Sequence, residues 1–207
     1  MELKLSTLGV AATITVVALT GAACSSGSKS SSTSSTSSSS SSSASSSTSA
    51  AATSNAAPVD YTTLLIKPED IVVPNDTFTA EPPQLNPGGS EGVAVGFDNA
   101  DKTRSIGDSI TVMPDASAAK TAMDGAVAAL NQSIANPSPQ PAPVGSNGVV
   151  ASGTSPDGTK AVTVVTFTEG KAFVVMQFDS PAGDAVPNDF ATSLAQKQAD
   201  NIKSGLG

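Results

Sequence analysis

Residues 161–178 read AVTVVTFTEGKAFVVMQF. Two runs rich in Val, Thr and Phe, Ala161 to Thr168 and Ala172 to Phe178, flank a tight Glu169-Gly170 turn. β-Branched and aromatic side chains suit a pleated sheet surface, and a Gly-containing turn between two such runs marks a hairpin. Just upstream, Ser155-Pro156-Asp157-Gly158 has the composition of another turn, and Val149-Val150-Ala151 before it supplies a third strand. Downstream, Asn188 is placed to cap a terminal helix. Its Phe190, Leu194 and Ile202 fall on one face, and Gly205 stands at its end.

Moving toward the N-terminus, the Pro-rich stretch Asn136 to Pro143 closes off an earlier helix. That helix starts from Asp115 as cap and carries Ala119, Met123, Ala126/Val127, Leu130 and Ile134 at helical spacing. Two strands precede it, Val93 to Phe97 and Ser105 to Met113, the latter with Ile106, Ile110 and Val112 alternating against polar residues. Residues 74–90 hold Pro74, Pro82, Pro83, Pro87, Gly88 and Gly89 and should be irregular. Between Tyr61 and Ile71, Pro68 followed by Glu69 and Asp70 is a helix-start signal. The order is helix, two strands, helix, three strands, helix. It predicts an α+β fold: an antiparallel sheet with helices packed on one face, built from residues 58–207.

The 57 residues before that domain have a different character. Between Ser25 and Ser54, 20 of 30 positions are serine and the only charge is Lys29. Such a segment has too little apolar surface to offset chain entropy, so 24–57 is expected to be a disordered linker. As a flexible coil, residues 25–57 would span about 30 Å, and their hydroxyls are plausible glycosylation acceptors. Seventeen of the 18 acids but only 8 of the 10 bases lie from Pro58 onward, leaving that part at −9. A surface so acidic points away from nucleic acid and from flat docking on anionic lipid.

The first 23 residues have the pattern of an export signal. Leu8 to Ala23 is apolar or small throughout, shorter than the roughly 20 apolar residues of a membrane span, and is followed by Cys24. The sequence around it, Leu19-Thr20-Gly21-Ala22-Ala23-Cys24-Ser25-Ser26, resembles the lipobox of bacterial lipoproteins, with Gly21 standing where that motif usually has a branched residue. The resemblance implies that the signal peptide is removed and that the Cys24 thiol carries fatty acyl chains such as palmitate. The protein would then be anchored on the outer face of the cell membrane, facing the cell envelope. Two chains would hold it firmly where one would not. The other reading is a secreted protein cut after an Ala-x-Ala-like site, with Cys24 incidental.

Together, the lipobox, the serine tether and the acidic α+β domain resemble the surface lipoproteins of mycobacteria and related actinobacteria. Over most of residues 60–205 the domain is similar to LpqN-like lipoproteins. It is also similar to the extracytoplasmic sensor domain of a mycobacterial Ser/Thr kinase, through Leu64-Leu65-Ile66-Lys67-Pro68-Glu69 at its start. Further points of similarity are the strand end Val112 to Asp115, the hairpin and the terminal helix Ala191 to Lys203. The kinase domain is disulfide-bonded, whereas here no cysteine follows Cys24.

Chemistry is sparsely signalled. The chain has no histidine, no tryptophan and one cysteine, which removes His-based triads, His metal sites and disulfide frameworks. Ser117-Ala118-Ala119-Lys120 has the S-x-x-K spacing of penicillin-recognising enzymes but lacks their companion motifs and reads as a solvated helix face. Asp98-Asn99-Ala100-Asp101 offers oxygen ligands without the glycine and terminal glutamate of a calcium loop, and reads as a polar turn. Neither Gly88-Gly89 nor Gly145-Ser146-Asn147-Gly148 has phosphate-loop spacing. Asp184 and Asp189 would act as paired carboxylates only if the fold joined them. The expectation is a non-catalytic module without cofactor or metal. Three uses compete: binding or sensing an envelope glycan, lipid or protein; carrying a lipid or glycolipid in an apolar cavity; and hydrolysis through Ser117 and Lys120.

Overall fold

The structure, a computed structural model, describes residues 59–206. The expected signal peptide (1–23), Cys24 and the serine-rich linker (24–57) lie outside the described residues. The long strands are β3 (Gly92–Asn99), β4 (Ser105–Val112), β6 (Ser146–Thr154), β7 (Lys160–Glu169) and β8 (Ala172–Pro181). Short strands β1 (Phe78–Ala80), β2 (Gln84–Leu85) and β5 (Gln140–Pro141) lie in or beside the Pro-rich stretches. Helix α1 is Ala116–Ala128 and α2 is Asn188–Leu206. All the strands join one antiparallel sheet in the order β1-β3-β4-β8-β7-β6-β5, with β2 also paired to β3.

The class and the antiparallel sheet are therefore those expected, and the 161–178 hairpin sits near the middle of the sheet as β7 and β8. The placement of the helices differs. Val165 and Phe167 of β7, with Val174, Met176 and Phe178 of β8, pack with Ala191, Leu194, Ala195, Ala199 and Ile202 of α2. The alternate residues Val162, Val164 and Val175 pack with Val127 of α1 and with Leu130 and Ile134 just beyond it. Successive side chains of a strand point to opposite faces, so the two helices cover opposite sides of the sheet rather than one. The reason lies in β7, where every residue from Ala161 to Thr168 is buried. A strand without polar alternation needs cover on both sides.

Helix α1 begins as its sequence dictates: the Asp115 carboxylate accepts from the Ala118 backbone N–H at 2.8 Å. Asn188, expected as the cap, is instead the first residue of α2, and its side-chain oxygen accepts from Ser152 Oγ at 2.5 Å. The helix expected between Tyr61 and Ile71 is replaced by two single 3-10 turns, Thr62–Leu64 and Pro68–Asp70. Pro68 disfavours helical backbone at the preceding Lys67, which is extended, so the two turns cannot merge.

This irregular segment is nonetheless firmly docked. Tyr61, Leu64, Leu65, Ile66 and Ile71 enter the main core. Gln198 of α2 is fully buried; its Nε2 donates to Leu64 O at 2.7 Å and its Oε1 accepts from the Ile66 N–H at 2.9 Å. Asn201 Nδ2 donates to Leu65 O at 3.3 Å. Gly205 completes the seam, because a Cβ there would lie 2.3 Å from Leu64 Cδ2.

Candidate functional site

At one end of the sheet an apolar cavity of about 230 Å³ opens beside α2. Ile106 from the start of β4 and Phe178 from the end of β8 lie on the α2-facing side of the sheet and line it, as does Phe78 of β1. Phe190 closes the cavity from the first turn of α2, standing edge-on to Phe178 with ring centres 6.4 Å apart and planes at 76°. Val72, Val73 and Pro74 line it from the N-terminal segment, and Val186 and Pro187 from the loop before α2. Val72 is 75% exposed, an apolar side chain left in water at the cavity's edge.

Arg104, also in the lining, is the chain's only arginine. Its guanidinium pairs with the Asp184 carboxylate. Both partners are placed by turns. Asn99, 5% exposed, organises the β3–β4 connection: its Oδ1 accepts from the N–H groups of Thr103 at 2.9 Å and Arg104 at 3.0 Å. Its Nδ2 donates to Asp76 Oδ2 at 2.9 Å, tying that turn to the N-terminal segment. On the other side, a turn over Pro181–Asp184 is closed by Asp184 N–H to Pro181 O at 3.0 Å. Gly183, at φ +83°, takes the left-handed position that such a turn requires. Buried Ser180 donates to Asp184 O at 2.7 Å. Asp179, also in the lining, is engaged by Lys160 Nζ at 3.1 Å and Gln177 Nε2 at 2.9 Å.

The residues weighed from the sequence fall as follows. Asp98-Asn99-Ala100-Asp101 is the polar turn just described, and Asn99 serves it as a scaffold for Arg104. Ser117 and Lys120 are exposed on α1, where the Lys120 ammonium lies 2.7 and 2.9 Å from the two carboxylate oxygens of Asp124. Asp184 is held by Arg104, while Asp189 is exposed in the first turn of α2. Gly88-Gly89 lies in a 3-10 turn, and Gly145 leads into β6, where a Cβ would strike Thr168 O at 2.5 Å. Among the described residues, no cluster of three or more His, Cys, Asp and Glu is placed to hold a metal. The sequence reading passed over Arg104. Its uniqueness in the composition was the available signal.

A second opening, polar and about 390 Å³, lies between the N-terminal segment and α2, with Lys67 and Lys197 at its edge. Lys197 is 3.5 Å from Asp70 there. Elsewhere, two titratable groups are pushed up. Tyr61 is pushed up to about 12 by its hydrogen bond to Glu91. Asp108 of β4 is 1% exposed, neither of its oxygens has a hydrogen-bond partner among the described residues, and burial pushes it up to about 7. It stands two residues along β4 from Ile106, facing the same core but outside the cavity lining.

No protein-family model matches the chain, and no curated protein matches it. Among solved structures, the extracellular domain of PknH from Mycobacterium tuberculosis is similar, with a TM-score of 0.44 and 9% identity, covering 61% of this chain and 85% of that one. Among the described residues no helix is long and apolar enough to cross a membrane.

Proposed function

We propose that this protein is a non-catalytic binding or sensing module of the cell envelope. Lipid on Cys24 would hold it to the outer face of the cell membrane, and residues 25–57 would lift the domain clear. Its site is the apolar cavity beside Arg104. The observation that carries this reading is the combination at that one place: an apolar recess, an exposed Val72 in its lining, and the lining Arg104, whose guanidinium pairs with Asp184. A concave apolar surface with a few fixed polar groups is the usual form of a ligand site.

Size separates recognition from carriage. A cavity of about 150 Å³ holds one benzene, and drug-sized ligands occupy about 300–1,000 Å³. At about 230 Å³ the recess takes one ring or one short branched apolar group. It has no room for the two acyl chains of a glycolipid, so the domain reads one feature of a ligand instead of enclosing the whole.

A photo-crosslinking residue at Val72 tests the site. The full-length chain, incubated with an actinobacterial envelope fraction, should give a discrete adduct from position 72 and none from the same residue at Thr121 on α1. Equal labelling at both positions would remove the cavity as the site. Anchoring is tested separately: the native chain should partition into detergent and Cys24→Ala should be released to the medium, whereas identical partitioning would count against the lipid.

A further inference from the structure

We infer that the cavity recognises a small amphiphilic carboxylate: a single ring or branched hydrocarbon in the recess, with its carboxylate on the Arg104 guanidinium. This rests on the cavity being the binding site. The charge at the mouth supplies the argument. Arg104 is the cation of the lining, and in the described state a carboxylate, that of Asp184, already sits on it. The acid of the lining itself, Asp179, is engaged by Lys160 and Gln177, so it does not compete for the guanidinium.

Asp184 thus occupies the position that a ligand carboxylate would take. It is displaceable: its side chain is 58% exposed, and ion pairs that exposed contribute little. Its backbone is fixed by the Pro181–Asp184 turn and by Ser180, so the exchange needs only a side-chain rotation and no refolding of the loop. The Arg104 backbone keeps its place, because Asn99 Oδ1 accepts its N–H. A planar guanidinium matches a carboxylate in a fork geometry, which an alcohol or amide of the same shape cannot reproduce.

The probes are 4-phenylbutyrate and its uncharged counterpart 4-phenylbutanol, titrated into the full-length chain and followed by amide shifts at Arg104, Phe178 and Phe190. The acid should bind about ten-fold more tightly than the alcohol. Arg104→Gln should bring the two to equal affinity. Asp184→Asn removes the internal competitor and should tighten the acid about three- to ten-fold while leaving the alcohol unchanged. Asp184 is exposed, so this variant keeps the test open even if Arg104→Gln folds poorly. Equal affinity of acid and alcohol in the native chain and in Asp184→Asn overturns the carboxylate assignment and leaves the cavity standing. No shift with either probe in any of the three proteins overturns both.

Discussion

Two polar side chains are sealed on the same side of the sheet, and their surroundings treat them oppositely. Gln198, at the seam between α2 and the N-terminal segment, is bonded through both ends of its amide, to Leu64 O and the Ile66 N–H. Asp108, in the middle of β4, faces a row of apolar neighbours: Val95 across in β3 and Met176 across in β8. The difference comes from the backbone around each. The N-terminal segment is irregular, so its peptide groups have no ladder to join and need a side chain to complete them. Strand β4 is paired along both edges, so no neighbouring peptide group is left for Asp108. A buried amide in the first setting stabilises the fold, and a buried acid in the second opposes it.

The largest expected effect breaks this contrast at Asp108. Replacing it with Val, a strand-forming apolar residue between Val95 and Met176, should stabilise the chain at pH 8 by about 4 kcal/mol in urea unfolding. The native protein should also show a distinctive pH dependence. The folded-state pKa of Asp108, about 7, lies above its unfolded value of 3.8. Between those values the folded chain keeps a proton that the unfolded chain has lost, so stability is greatest in acid and falls as pH rises. The slope from this group is about 1.4 kcal/mol per pH unit between roughly pH 4 and 7, and it flattens above. In Asp108→Asn, which cannot ionise, that component should vanish. Parallel stability–pH curves for the native chain and Asp108→Asn would show that the acid is not buried in this way.

The next effect, of opposite sign, is at Gln198. A Leu there keeps the volume and loses both hydrogen bonds, stranding a buried N–H and a buried C=O. Gln198→Leu should cost about 2 kcal/mol. Hydrogen exchange should place most of the loss at Leu64 to Ile66, with the β7–β8 hairpin little changed. A loss spread evenly over the sheet would mean that the seam is not a local tie.

The same contrast explains how far the sequence could be read. Local signals were sufficient for the hairpin, for the start of α1 at its Asp115 cap, and for the order of the long strands along the chain. The helix expected to run on through Leu130 and Ile134 ends at Ala128 and gives way to a 3-10 turn, Leu130–Gln132. The two-sided cover of β7 was written in its lack of alternation, but periodicity alone does not say what will cover each side. Strands β1, β2 and β5 are two or three residues long and lie in or beside Pro-rich stretches, and they exist because a neighbouring strand edge was there to pair with. The site was the least legible part. Arg104 meets Asp184 eighty residues later, and the cavity draws on the N-terminal segment, β4, β8 and α2. Asp98 to Asp101 was read correctly as a turn, while its purpose, to seat the arginine, depends on contacts that no local pattern contains.

The smallest effect sharpens the contrast from the exposed side. Lys120 and Asp124 form an ion pair one helical turn apart on α1, with both side chains more than half exposed. Water screens such a pair, and holding two long side chains together offsets part of the attraction, so Lys120→Ala should change stability by only about 0.3–0.5 kcal/mol and less in high salt. Ser117→Ala, on the same exposed turn, should change stability by no more than about 0.5 kcal/mol. The pair's distances are as short as those around Gln198. If Lys120→Ala nevertheless cost as much as Gln198→Leu, solvent exclusion would not be what separates these sites.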